Sequence, residues 1–131
     1  MKYQQYLKRD AVKNYFPLPN EIFCLGLCSG EIAVYAYLLY CEDRKTFQCY
    51  PSYRTIGRAV GLSRNTVKKY VAELERKHLI VTEPTNIYTK DGIKRNGNLL
   101  YTILPIEQAV MRCYEQQLER AKLLRVQSKA G

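Results

Sequence analysis

The stretch of sequence that decides the fold is residues 51–80, PSYRTIGRAVGLSRNTVKKYVAELERKHLI. Its first part predicts a short helix, because Ser52 can cap the free backbone N–H groups at a helix start. The apolar stripe of this helix consists of Ile56, Ala59 and Val60. Gly61 is predicted to end it, since glycine readily adopts the left-handed backbone that closes many helices.

A longer helix is predicted over residues 64–77, with Ser63 as its cap. Apolar residues at i, i+4 and i+7 indicate one buried face, made of Val67, Val71 and Leu74. The opposite face carries Arg64, Asn65, Lys68, Lys69 and Ala72. These features are typical of a DNA-binding helix-turn-helix motif, which consists of a short helix, a tight glycine turn and an amphipathic helix with a cationic outer face.

Toward the N-terminus, residues 31–40 have the apolar content of a buried helix, and Ser29 is a candidate cap. The face predicted to be buried consists of Ile32, Tyr35, Ala36 and Leu39. Residues 46–50 contain enough aromatic and β-branched character to predict a short strand. Residues 1–17 show no clear periodicity and are interpreted as an arm that leads into a domain over residues 18–104.

After the longer helix the pattern changes to that of a β-hairpin. Residues 79–82 and 99–104 predict two strands, and residues 86–97 predict a long, flexible, basic tip between them. Pro105 then suits the first turn of a final helix over residues 106–125, within a C-terminal segment 105–131 whose end is predicted to fray. Its apolar stripe consists of Ile106, Val110, Cys113, Leu118, Ala121 and Leu124. This stripe predicts either a homodimer through the helix or packing back on the first helix.

Three motifs occur together and in register: PS-x-x-x-I from Pro51, G-L-S-R-x-T-V from Gly61, and L-E-x-x-x-L-I from Leu74. On these residues the chain resembles the winged helix-turn-helix domains of small bacterial transcription regulators and of plasmid and phage replication initiators. The resemblance implies an α+β fold, mainly α with a small β wing, plus the C-terminal helix. Two positions depart from the family's common residues: Gly57 replaces alanine and His78 replaces glycine.

The resemblance also implies that the helix of residues 64–77 enters the major groove of duplex DNA. Arg64 and Asn65 are the candidates for reading bases, because their side chains can pair with guanine and adenine. The candidates for contacting the backbone are Ser52, Tyr53, Ser63, Thr66, Lys68 and Lys69. In the wing, Lys90, Lys94, Arg95 and Asn96 are candidates for the minor groove or backbone, or belong to a loop kept soluble by charge.

The charge of the chain favours a polyanionic partner. Lys and Arg number 21 against 12 Asp and Glu, for a formal net charge of +9. Residues 51–97 hold ten of the cations against four carboxylates, so the excess lies in the helix-turn-helix and wing. The polar N-terminus and the lack of a long apolar stretch predict a cytoplasmic protein without a membrane segment.

The remaining chemistry predicts neither catalysis nor a metal site. The five cysteines form no Cys-x-x-Cys pair, which favours buried thiols over disulfides, and the spacing of Cys24, Cys28, Cys41 and Cys49 differs from that of zinc knuckles. The single histidine, His78, is predicted to end a helix in a left-handed conformation rather than act as a base. We therefore expect no enzyme, no cofactor and no bound metal.

The function expected from the sequence is sequence-specific binding of duplex DNA by a bacterial transcription regulator. One alternative is a replication initiator of a plasmid, phage or mobile element, which would share the same reading helix. An alternative of a different class is a protein-interaction module, whose basic face would dock an acidic partner instead of DNA.

Overall fold

The computed structural model describes residues 15–130, with side chains described as far as residue 126. Most of the arm predicted for residues 1–17 lies outside the described residues. A short 3₁₀ helix spans Asn20–Cys24. The helices that follow are α1 (Ser29–Cys41), α2 (Tyr53–Val60), α3 (Arg64–Arg76) and α4 (Ile106–Ala130). The strands are β1 (Gln48–Cys49), β2 (Ile80–Glu83), β3 (Asn86–Tyr88), β4 (Lys94–Asn96) and β5 (Leu100–Ile103).

The strands form two antiparallel sheets. The first has the order β1-β5-β2, with Cys49 opposite Tyr101 and Ile80 opposite Ile103. The second pairs β3 with β4 beyond the end of the first. The helices and this small sheet confirm the predicted α+β class, mainly α with a β wing and a C-terminal helix.

The core lies where α1, α2 and α3 meet the first sheet. Each of these elements contributes fully buried side chains, among them Tyr35, Ile56, Leu74 and Tyr101. Burial of a large apolar side chain contributes roughly 1.5–3 kcal/mol, so this cluster holds the three helices against the sheet. The predicted inner face of α3 is confirmed, since Val67, Val71 and Leu74 are all buried.

The predicted inner face of α1 is wrong. The residues that are buried are Glu31, Val34, Tyr35 and Leu38, and only Tyr35 belongs to the predicted set. Because α1 is apolar on almost every side, periodicity cannot identify its inner face. In the observed rotation, the Glu31 carboxylate accepts a hydrogen bond from Lys77 Nζ at 2.8 Å.

Two further predictions are wrong: one concerns the cap of α1 and the other the buried stripe of α2. Ser29 is the first residue of α1 rather than its cap: the Cys28 carbonyl already accepts a hydrogen bond from Ile32 N, and the Cys28 side chain forms no capping bond. Ala59, predicted in the buried stripe of α2, is exposed, because Ile56 and Gly57 are the residues that face the core.

Two regions contain more regular secondary structure than the sequence predicts. Within the predicted basic tip, β3 and β4 form a hairpin closed by Thr89 N donating to Ile93 O at 2.9 Å, with Gly92 in the left-handed region. The helix α4 extends to Ala130, beyond the predicted end at residue 125, since no glycine or proline interrupts residues 106–130. No helix among residues 15–130 is long and apolar enough to cross a membrane.

Candidate nucleic-acid interface

The turn between α2 and α3 is fixed by backbone hydrogen bonds. Gly61 ends α2 with φ +74°, and its N–H donates to the Gly57 carbonyl. Leu62 N donates to the same carbonyl at 2.9 Å, and the Leu62 side chain packs against the core. The predicted roles of Gly61 and of the turn are confirmed, and the turn holds the start of α3 in one orientation.

Both helices of the motif begin with a serine cap. Ser52 Oγ accepts from Thr55 N at 3.0 Å, and Ser63 Oγ accepts from Thr66 N at 3.2 Å. Each serine hydroxyl also lies within 2.9 Å of the hydroxyl of the same threonine. Only one hydroxyl hydrogen is used in each Ser–Thr pair, so each cap keeps a second hydrogen that can be donated outward. These caps position a helix N-terminus, which attracts anions, at the surface.

The face of α3 opposite the core is polar and open to solvent. Its exposed residues are Arg64, Asn65, Lys68, Lys69 and Ala72. Their exposure follows from the burial of Val67, Val71 and Leu74, which fixes the rotation of the helix. The structure therefore brings the two candidates for base reading and two of the candidates for backbone contact onto one accessible surface.

A cleft of about 390 Å³ connects the start of α2, the start of α3 and the base of the wing. Its lining includes the candidates Ser52, Tyr53 and Arg64. Burial raises the pKa of Tyr53, nearby Glu75 raises it further, and the Arg64 guanidinium acts in the opposite direction. The phenol of Tyr53 is therefore a neutral hydrogen-bond donor at physiological pH, beside a permanent cation.

Sequence reasoning missed two polar residues of this cleft, Arg54 and Asn98. Arg54 is exposed on the first turn of α2, and Asn98 Nδ2 donates to the Tyr50 carbonyl at 3.2 Å. The position of Arg54 in the N-terminal turn of a capped helix was the available signal. Asn98 had none, because its place beside α2 depends on a contact between residues 48 positions apart.

The wing does not present all its candidates on one face. Residues paired directly across β3 and β4 share a face, so Arg95 lies with Ile87, whereas Lys94 and Asn96 lie with Tyr88 and Asn86. Lys90 lies in the turn at the tip, and all four candidates are exposed. Asp91-Gly92 was the signal for this hairpin, since that dipeptide favours tight β-turns.

All five cysteines and the single histidine lie among the described residues. Cys49 is buried, and burial raises the pKa of its thiol to about 12. Cys24 and Cys28 are exposed, so the prediction of buried thiols is wrong for these two, because the segment before α1 lies at the surface. His78 has φ +64°, which confirms its left-handed conformation after α3. Within the described part of the chain, no cluster of His, Cys, Asp and Glu has the arrangement of a metal site.

The comparisons with known proteins concern this same region. Residues 25–80 match the family model described as a helix-turn-helix domain. A possible transcriptional regulator from Methanosarcina mazei Go1 has a similar structure, with a TM-score of 0.54 and 17% identity over 80% of this chain and 82% of that one. An N-terminal domain of a DNA binding protein is similar with a TM-score of 0.50 and 14% identity over 88% of this chain and 96% of that one. No curated protein matches the sequence at a significant level.

The match covers the last part of the segment before α1, helices α1 to α3 and the start of β2. The strands β2 and β5 continue from it as a hairpin, with the β3–β4 pair at its far end. At the identities found, the two similar structures support the fold alone. Residues 25–80 therefore match a helix-turn-helix domain, and the hairpin that follows them adds the wing that the sequence predicted.

Proposed function

We propose that the protein binds duplex DNA in a sequence-specific manner, as a transcription regulator. The observation that carries the proposal is the exposed polar and cationic face of α3, held outward by the burial of its opposite face. A helix of this kind fits the major groove, where its N-terminal residues contact base edges.

The residues of this face divide by chemistry. Arg64 and Asn65 read bases, because a guanidinium pairs bidentately with guanine and a carboxamide with adenine. The hydroxyls and ammonium groups of the backbone set contact phosphates, which fixes the orientation of the duplex without reading its sequence. That set consists of Ser52, Tyr53, Ser63, Thr66, Lys68 and Lys69, and Arg54 joins it through the cleft that it shares with Arg64.

The wing at residues 86–97 extends this surface. Its two faces allow only one side to contact a duplex at a time, and the side with Lys94, Asn96 and Tyr88 combines a cation, an amide and an aromatic hydroxyl. Lys90 at the tip reaches the backbone or minor groove beside the site of α3. Arg95 lies on the other side of the hairpin. It contributes to DNA binding through the positive electrostatic potential of the wing rather than through a direct contact.

The test is selection of bound duplexes from a random library, followed by titration on the enriched sequence. We expect Asn65→Ala and Arg64→Ala each to reduce discrimination against a changed base by about tenfold, because each removes one bidentate contact. Lys45→Ala is the matched control, since it removes an exposed cation from the turn after α1 without changing α3 or the stripe of α4. It should leave discrimination unchanged.

Other outcomes of the selection point elsewhere. Enriched direct repeats would favour a replication initiator, whereas a palindrome with half-sites about 10 base pairs apart would favour a dimeric regulator. If no sequence is enriched and the affinity stays at the non-specific level, roughly 10⁻⁴ to 10⁻⁶ M, the proposal fails and the protein-interaction module replaces it.

We further propose that the protein is a homodimer through α4. The first half of the α4 stripe packs on the domain, with Ala109 buried and Ile106, Val110 and Cys113 partly buried. The second half is exposed to solvent: Leu118 is 60% exposed and Leu124 is 66% exposed. Such a solvated helical segment is marginal by itself, and a second copy of α4 would bury it.

The dimer is tested by the mass of the protein in solution. Leu118→Asp should convert a dimer to a monomer, because it places a carboxylate in the centre of the exposed stripe. Leu123→Asp is the matched control, since Leu123 is equally exposed but points away from the stripe on a helix of 3.6 residues per turn. A wild-type monomer at micromolar concentration, or equal effects of the two changes, would contradict the proposed interface.

A further inference from the structure

A second concave surface lies at the other end of α3 from the proposed DNA face. This basic cleft, of about 380 Å³, is formed by the end of α3, one side of α4 and the segment at residues 24–26. Its cations are Arg76, Lys77, Arg112 and Arg120. Among the described residues that line it there is no carboxylate. It lies about 18 Å from Arg64 along the axis of α3, at 1.5 Å per residue.

The cations of the cleft keep donors that the protein does not use. Arg76 donates from Nε and Nη2 to Glu73, and Lys77 Nζ donates to Glu31. A guanidinium has five N–H groups and an ammonium has three, so both side chains retain free donors. Arg112 and Arg120 form no ion pair with any residue in the described part of the chain. Four cations with free donors around one concavity favour an anion.

A smaller, more apolar cavity continues from the basic cleft. This annex, of about 220 Å³, shares Cys24, Leu25, Cys113 and Gln117 with the cleft. Val110 and Tyr114 supply its apolar wall. The shared wall is held by sulfur contacts, with Cys113 Sγ 3.8 Å from the Cys24 carbonyl and Gln117 Nε2 3.7 Å from Cys113 Sγ. Glu21, at the annex, disfavours a negative group there.

The geometry points to a binding site for a small organic anion whose acidic group lies in the basic cleft and whose ring-sized apolar body lies in the annex. The cations attract the acidic group of the ligand. Glu21 repels that group from the annex and so fixes the orientation of the bound ligand. A phosphate of the DNA backbone shares the chemistry of the acidic group. It would leave the annex empty, because a duplex cannot insert an apolar ring into a cavity of that size. An apolar pocket with a few convergent polar groups is typical of small-molecule sites.

The experiment measures binding of three probes to the full chain without DNA, by calorimetry and by the shift in melting temperature. The first probe is phenyl phosphate. The other two, inorganic phosphate and phenol, represent its acidic half and its apolar half. We expect phenyl phosphate to bind at least tenfold more tightly than either half. In the double variant R112Q/R120Q we expect that affinity to fall at least tenfold. Arg125→Gln is the matched control, because it removes a cation from α4 outside the cleft.

The results that would overturn the site are distinct. Equal affinity for phenyl phosphate and inorganic phosphate would reduce it to a simple anion patch, with no role for the annex. Unchanged affinity in R112Q/R120Q, or absence of binding by every probe, would remove the site altogether. If no probe binds and R112Q/R120Q weakens duplex binding as strongly as Arg64→Ala does, the cleft is a DNA-backbone contact. Because probe binding is measured without DNA, failure of the site leaves the proposed DNA binding untouched.

Discussion

Replacing Lys77 with methionine should lower the free energy of unfolding by about 3 kcal/mol, because it leaves a buried carboxylate without its partner. Lys77 Nζ and Glu31 Oε2 are 2.8 Å apart, and their side chains are only 15% and 9% exposed. Methionine keeps the approximate length of the side chain, and Lys77 follows the last residue of α3, so the loss reports the charge rather than packing or helix propensity. Denaturant unfolding of both proteins at pH 7 measures it.

Two further variants separate the causes. Arg76→Met removes the neighbouring cation, whose pair with Glu73 is exposed and one turn apart on the same helix, so its effect on stability should be much smaller than that of Lys77→Met. The double variant Glu31→Leu with Lys77→Met should return to within about 1.5 kcal/mol of the wild type, since no unpaired charge stays buried. Equal losses for Lys77→Met and Arg76→Met would show that the Glu31 contact contributes no more than an exposed pair.

The parts of the fold that could be predicted from the sequence are those fixed by local chemistry. Ser52 and Ser63 cap their helices, Gly61 ends α2, and Val67, Val71 and Leu74 form the inner face of α3. Each of these depends on residues within one or two helical turns. The polar face of α3 follows from the same spacing, so the centre of the candidate site could also be predicted.

The parts that could not be predicted depend on distant contacts. The rotation of α1 depends on its packing against distant elements, among them the contact of Glu31 with Lys77, 46 positions away, because the apolar residues of α1 surround the helix. The cleft that adds Arg54 to the candidate site needs the base of the wing beside α2. The second half of the α4 stripe is apolar by sequence, but only the structure shows that Leu118 and Leu124 are exposed.

Replacing Gly57 with alanine should lower the free energy of unfolding by about 2 kcal/mol, although alanine is the better helix former by roughly 0.5–1 kcal/mol. A Cβ at this position would overlap the Leu62 carbonyl, which is backbone and cannot move without opening the turn. Overpacking of this kind costs typically 1–3 kcal/mol or more, which outweighs the gain in helix propensity. Thermal or denaturant unfolding measures the net loss.

Gly30→Ala is the matched control, because it makes the same change inside a helix against a neighbour that can move. A Cβ there would meet the end of the Tyr70 ring, a partly exposed side chain that can rotate away. The gain in helix propensity and the cost of moving the Tyr70 ring then nearly cancel, and we expect the free energy of unfolding to change by no more than about 1 kcal/mol. Gly57→Ala should also weaken duplex binding, since the strained turn presents α3 differently, whereas Gly30→Ala should not. A stable Gly57→Ala variant with unchanged unfolding would mean that the close approach of Leu62 to α2 is not required for the turn.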